Sequence, residues 1–250
     1  MTPLPPGFLA RPFAHRALHG PGVAENSEQA IVAAYDGRWG IEIDVQLTAD
    51  GKAVVFHDEF LHRLTGRNGC VRDLTLREIT SIPLLAGGTI LPLDIALLFA
   101  GSRSVVIEIK DQSGDMTSAG VGPLESAVGR ALYGHEGPVA VMSFNPYSVK
   151  AMADLRPDVP RGLVTCAWDA DDWPNVLAVR RFELRGMPGL IDAGCSFVSH
   201  DRTDLASPEV ARVRALGLPV LCWTIRSPVE AAKALVHADQ ITFEGYTPVA

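Results

Sequence analysis

Eight short apolar runs recur along the chain with helical patterns between them, and this alternation limits the architecture more than any other feature. The runs cover residues 12–15, 40–47, 105–110, 139–144, 162–165, 196–200, 219–225 and 240–243. Between most of them lie amphipathic stretches, at 27–35, 124–133, 147–155, 176–184, 208–216 and 228–236. Two of these open with proline after a serine cap, at Ser207-Pro208 and Ser227-Pro228, where a missing N–H costs a helix nothing. Strands that are apolar throughout, rather than alternating, belong to parallel sheets covered on both faces. At 250 residues the best fit is one α/β domain spanning the chain, a (β/α)8 TIM barrel. A doubly wound open sheet would want a glycine-rich phosphate loop after the first run, and GxGxxG does not occur there.

One segment disturbs the alternation. Residues 54–57 are strand-like but follow 40–47 through Asp50-Gly51, which favours a hairpin return. Residues 59–92 then read as an irregular insertion after the second strand, with a short helix near 76–79. A long connection on the C-terminal side of a barrel strand belongs to the face that carries active sites.

The same region concentrates the chemistry. Glu42 and Asp44 are two residues apart in an apolar run, so they point the same way from a strand. Two buried acids on one face demand a positive occupant. Glu108 and Lys110 repeat the spacing on the third run, His15-Arg16 ends the first, and His57 ends the excursion. Three carboxylates and no cysteine make a hard oxygen donor set, suited to a divalent cation, Mg2+ first and Ca2+ as the alternative. Arg16 and Lys110 would place positive charge beside a phosphate. His15 and His57 are the natural acid and base near neutral pH. Blander readings stand beside these: Glu42–Arg16 and Glu108–Lys110 as buried ion pairs, the histidines as core residues, Trp223 as barrel filler rather than pocket wall. His19, in a glycine-flanked loop, is a further candidate for touching substrate. The convergence of so many ionisable groups on adjacent strand ends favours the functional reading.

Composition narrows the partners. The chain has a formal charge of −7 and no Lys/Arg run longer than two, which argues against nucleic acid. Cys70, Cys166, Cys195 and Cys222 show no CxxC spacing and read as reduced thiols of a cytoplasmic protein. Residues 1–11 carry three prolines and no apolar core of a leader. No apolar stretch is long enough to span a membrane. Oligomeric state is left open.

The motifs Ala14-His15-Arg16-Ala17, Glu25-Asn26-Ser27, Gly40-Ile41-Glu42-Ile43-Asp44, Asp50-Gly51, His57-Asp58, Leu64-Thr65-Gly66, Ile107-Glu108-Ile109-Lys110, Ser143-Phe144 and Cys222-Trp223-Thr224 resemble, in order and spacing, the glycerophosphodiester phosphodiesterase family. The resemblance runs from about residue 12 to about 245. It implies a TIM barrel that cleaves a small glycerophosphodiester to glycerol 3-phosphate and an alcohol. It also implies Glu42, Asp44 and Glu108 as metal ligands, His15 and His57 as the catalytic pair, and Arg16 and Lys110 on the phosphate; Trp223 is this reading's own candidate for the wall against the substrate. A lysophospholipase D-type enzyme and a non-catalytic phospholigand-binding barrel are the alternatives; the former would want an apolar mouth, for which Ile82, Leu84 and Leu85 are candidates. Two positions depart from the family pattern. Ala17 replaces the usual glycine, and the last strand reads Ile241-Thr242-Phe243-Glu244-Gly245-Tyr246 where Thr-Asp with a proline soon after is more usual.

Overall fold

The computed structural model describes residues 1–248. Eight parallel strands close a barrel, as the apolar runs predict: β1 (Phe13–Ala14), β2 (Gly40–Leu47), β5 (Val105–Ile109), β6 (Val139–Ser143), β7 (Arg161–Thr165), β8 (Phe197–Asp201), β9 (Val220–Ile225) and β10 (Gln240–Phe243). Closure comes from β1, which pairs with β10 on one side and β2 on the other. The outer layer is α1 (Glu28–Asp36), α4 (Leu93–Ala100), α5 (Pro123–Ala131), α6 (Pro146–Leu155), α7 (Ala178–Arg185), α8 (Pro208–Ala215) and α9 (Pro228–Ala234). No helix follows β10 among the described residues. Helix α4 has no counterpart among the expected helices. Its sequence, Leu-Asp-Ile-Ala-Leu-Leu-Phe-Ala, is apolar almost all round, so it lacks the one-sided period that reveals a surface helix.

The excursion is a hairpin return. β3 (Ala53–Val55) runs antiparallel to β2, with Val55 opposite Val45, and β4 (Leu91–Pro92) adds to its far edge. This is possible because β1 is only two residues long, which leaves the upper edge of β2 unpaired. Between β3 and β4 lie α2 (His62–Thr65), a 3₁₀ turn (Val71–Asp73) and α3 (Leu76–Ile79). Val54, Phe56, Leu61, Ile79, Ile82, Leu84 and Ile90 give the insertion its own small core.

Residues alternate sharply across the barrel wall. Ile41, Ile43 and Val45 face the helices, so Glu42, Asp44 and Gln46 face inward. The lower interior is apolar, filled by Phe13, Val106, Ala140, Met142, Val164, Phe197 and Leu221, with Phe8 of the N-terminal segment as a plug. Phe8 packs on Phe13 at 5.5 Å between ring centroids. Polar groups begin one layer higher, and the barrel therefore opens only at its C-terminal end.

Candidate active site

Glu42, Asp44 and Glu108 meet at that polar layer, 2%, 1% and 8% exposed. One oxygen from each lies within 4.8 Å of the others. Register explains the meeting, since Asp44 sits opposite Glu108 across the β2–β5 pair. Lys110 Nζ lies 2.7 Å from Asp44 and 2.6 Å from Glu108, and Arg16 Nε lies 3.7 Å from Asp44. Three carboxylates thus face two cations. The balance is made at Glu42, whose carboxyl is pushed well above its ordinary range by burial and by Asp44 and Glu108. Burial also pushes Asp44 upward, but Lys110, His57, Arg16 and His15 outweigh it and hold the group ionised well below the usual carboxylate range. With all three carboxylates ionised this buried oxygen cluster is one positive charge short, and it has the donor set for a divalent cation.

The backbone is shaped to serve Glu42. Arg16 and Ala17 both take positive φ, +51° and +62°. In that turn the Arg16 amide donates to Glu42 Oε2 at 2.8 Å and the Ala17 amide donates to the Glu42 carbonyl at 2.8 Å. The alanine that replaces the usual glycine does not impose ordinary angles on the loop; it accepts the left-handed ones. Asn26, 1% exposed and at φ +56°, donates its amide to Asp44 Oδ2 at 2.9 Å. Its carbonyl accepts from the Asp44 backbone N–H at 3.3 Å.

Both histidines line the same open cavity, of about 280 Å³. His15 Nδ1 is 3.0 Å from Glu244 Oε2, and His57 Nδ1 is 2.7 Å from Asp58 Oδ1. A carboxylate at Nδ1 fixes the proton on that nitrogen and leaves Nε2 as the exchangeable one. Glu244 is held down at about 2 by its hydrogen bond to His15, with Arg226 adding to the effect. The Gln46 side-chain amide donates to the His57 carbonyl at 3.0 Å, and the Phe56 amide donates to the Asp44 carbonyl at 3.0 Å. The excursion is thereby locked to the ligand-bearing strand.

A chain of charges ties the insertion to the first loop. Arg63 donates to Asp58 and, through both terminal nitrogens, to Glu25; Glu25 accepts from Arg16 at 2.9 Å. Arg63 is raised by its hydrogen bonds to Glu25 and Asp58. Across the cavity Phe144 and Trp223 share the wall with Asp201, Arg202, Thr203 and Arg226. Trp223 donates its indole N–H to the Ser199 carbonyl at 3.1 Å and meets Phe144 edge-on at 5.5 Å. Phe144 also contacts Trp168 and Trp173, at 5.8 Å and 4.9 Å.

The eight residues assigned roles from the sequence fall at this end of the barrel, seven on the cavity wall and Asp44 buried behind Glu42 and Glu108, whereas His19, the further candidate, is not among the residues lining that wall. Asn26, Glu25, Arg63 and Asp58 were given no role, and Glu244 was marked only as a departure from the family pattern. The motifs Glu25-Asn26-Ser27 and His57-Asp58 contain three of them, but only long-range contact shows what they hold. His200 turns outward, 1% exposed, to bond Thr165 at 2.7 Å and Asp204 at 3.3 Å. Asp201 takes the place on the cavity wall.

A model of the glycerophosphoryl diester phosphodiesterase family matches residues 15–242. A glycerophosphodiester phosphodiesterase of Caldanaerobacter subterraneus subsp. tengcongensis is 32% identical over 182 residues, 69% of this chain and 73% of that one. One from Bacillus subtilis is 29% identical over 231 residues, 82% of this chain and 73% of that one. Among solved structures, an Oleispira antarctica phosphodiesterase in complex with its product sn-glycerol-3-phosphate superposes with a TM-score of 0.78 at 23% identity, covering 95% of this chain and 94% of that one. A Thermotoga maritima glycerophosphodiester phosphodiesterase gives 0.70 at 21%, covering 92% of each. The structural likenesses establish the barrel fold and the family model spans nearly the whole chain, so this protein belongs to the glycerophosphoryl diester phosphodiesterase family.

Proposed function

We propose that this chain, a phosphodiesterase by family, hydrolyses glycerophosphodiesters to glycerol 3-phosphate and a free alcohol by His/His acid–base catalysis with a divalent cation. The observation that carries this reading is the pair of histidines, each with Nδ1 on a carboxylate, on the wall of the cavity that holds the buried acid cluster.

Glu42, Asp44 and Glu108 would hold the cation, Mg2+ before Ca2+. The ion would withdraw charge from the phosphoryl oxygens and align the reacting hydroxyl. Arg16 and Lys110 sit at the rim of the cluster and would bind the phosphate. One histidine takes the proton of the glycerol 2-hydroxyl as its oxygen forms a bond to phosphorus. The other protonates the departing alcohol oxygen as its bond to phosphorus breaks. Water then opens the cyclic phosphate to glycerol 3-phosphate, with the proton roles exchanged. An internal hydroxyl is an effective nucleophile because its approach is already restricted. Trp223 and Phe144 would form the wall beside the substrate.

The lysophospholipid alternative has one observation in its favour, the aromatic wall. The insertion supports it less than the sequence suggests. Ile82 and Leu84 are 2% and 5% exposed, inside the insertion core, and Leu85 alone points out, at 72%.

The test is a panel of glycerophosphodiesters and lysophospholipids with coupled detection of glycerol 3-phosphate, with Mg2+, Ca2+ or EDTA. Release of glycerol 3-phosphate from the soluble diesters, lost in EDTA, is expected. Tight binding without turnover would overturn the enzyme reading in favour of a binding barrel.

A further inference from the structure

Beside the acid cluster lies a second group of a different chemical character. Ligand atoms of His15, His19 and Glu244 lie within 4.8 Å of one another. Two contacts define its state. His15 Nδ1 and Glu244 Oε2 share a proton at 3.0 Å, and Glu244 also accepts from Arg226 at 3.3 Å. His19 contributes an imidazole whose Nε2 is buried and has no hydrogen-bond partner. A buried ring nitrogen left unpaired forfeits its solvation and calls for an explanation. The His19 ring has a second imidazole and an ionised carboxylate as neighbours, and Glu244 lies in one of the two segments where the chain departs from its family's usual pattern.

Two imidazoles and one carboxylate are the donor set of a borderline-soft ion. Tetrahedral coordination at about 2.0–2.2 Å brings donor atoms to about 3.3 Å apart, so the cluster, whose ligand atoms lie within 4.8 Å of one another, needs to contract by at most about 1.5 Å. The acid cluster offers only oxygen. Hardness alone therefore separates the two groups, with Mg2+ favouring carboxylates and Zn2+ favouring imidazoles.

We propose that His15, His19 and Glu244 form a second cation site, selective for Zn2+ over Mg2+, whose occupation switches the enzyme off. Coordination through His15 Nδ1 replaces the proton shared with Glu244. It also pins the ring, so His15 no longer cycles between its neutral and protonated forms. Arg226 gives up its hold on Glu244 to the ion. The fourth position is open to water. The inhibitory half of the proposal rests on the proton-transfer role assigned to His15 above; the binding half does not.

The deciding experiment titrates Zn2+ into protein kept in millimolar Mg2+, by calorimetry, with Co2+ absorption as a spectroscopic check on imidazole ligation. Wild type, His19→Asn, His19→Gln and Glu42→Gln are compared, and turnover is followed separately. One equivalent of Zn2+ is expected to bind wild type and Glu42→Gln alike, and at least tenfold more weakly to both His19 variants. Turnover of wild type should fall at least tenfold in step with occupancy. Measured against each variant's own Zn2+-free turnover, the His19 variants should need at least tenfold more Zn2+ for the same fractional inhibition. Zn2+ affinity unaltered in the His19 variants, or lost in Glu42→Gln, would overturn the site. Binding through His19 that leaves turnover untouched would overturn the switch. Because calorimetry needs no substrate, an inactive protein that still binds Zn2+ through His19 would count against the proposed reaction and not against the site.

Discussion

Strands β1, β2 and β5, with the residues just after them, carry every charged group of the acid cluster, whereas β6, β7 and β9, with the residue just after β6, present Met142, Phe144, Val164 and Trp223 to the same cavity. The charged arc is over-determined. Each carboxylate has a named partner, and the chain Arg16–Glu25–Arg63–Asp58 reaches from the first loop to His57. The aromatic arc is held by ring contacts and one indole hydrogen bond. Directional bonds hold reacting atoms in place to fractions of an ångström, while apolar contacts select by shape and area. One arc is suited to the chemistry common to all substrates, the other to telling them apart.

Removing a histidine tests the first arc with the largest effect. His57→Ala is expected to lower kcat about 10²–10⁴-fold for every glycerophosphodiester, with little loss of stability because His57 is 31% exposed. Asp58→Asn should cost less, about tenfold, since it removes the Nδ1 acceptor but leaves the ring. Steady-state kinetics on two substrates checks both. If the His57 variant turned over one substrate normally, the proton role would move elsewhere.

Acid–base balance in the charged arc shows in stability. Glu42 is raised in the folded protein, so between its unfolded and folded values the native state binds the extra proton. Stability without metal therefore falls as pH rises above about 4.5 and through the folded value. A cation in the cluster reverses that cost. Glu25, Asp58 and Glu244 are lowered; their contribution is present above about 4.5 and is lost as pH falls below it. Thermal melts from pH 4 to 9 should show a decline toward high pH in EDTA that Mg2+ abolishes, and a decline toward low pH in both. A Mg2+-independent profile would remove Glu42 from the ligand set.

The aromatic arc predicts a smaller, selective effect. Trp223→Leu removes an edge contact and a hydrogen bond, worth together about 1–2 kcal/mol. The expected change is a shift of up to about tenfold in kcat/KM between substrates with bulky apolar alcohols and those with small polar ones. Equal loss on all substrates would make Trp223 a barrel filler instead.

The two arcs also differed in how far they could be read from sequence. Glu42/Asp44 and Glu108/Lys110 announce themselves through strand spacing, because inward direction follows from a period of two. The barrel strands are equally legible, being apolar on both faces. Asn26, Glu25 and Arg63 act through contacts across loops, and no local period encodes those. Trp168 and Trp173, in the loop after β7, meet Phe144 through contacts between separate loops, which no local period encodes. Glu244 stood out as a departure from the family pattern, but its bond to His15 spans most of the chain.

Ala17 gives the smallest effect and the narrowest test of the charged arc's backbone. Its φ of +62° costs an L-residue about 1–2 kcal/mol, which glycine would escape. Against that, the methyl is 1% exposed, and its burial is worth about 0.8 kcal/mol. Glycine would also loosen the unfolded chain by about 0.4–1 kcal/mol. The opposing contributions nearly cancel, so Ala17→Gly should move Tm by no more than about 2 °C and leave kcat unchanged. Ala17→Val shares the φ problem and adds two carbons and a branched β-carbon beside the amides that serve Glu42. It should cost about 3 kcal/mol and weaken Mg2+ binding. If Ala17→Gly instead stabilised the fold by several degrees, the methyl would contribute nothing and the left-handed strain would be the dominant cost in this loop.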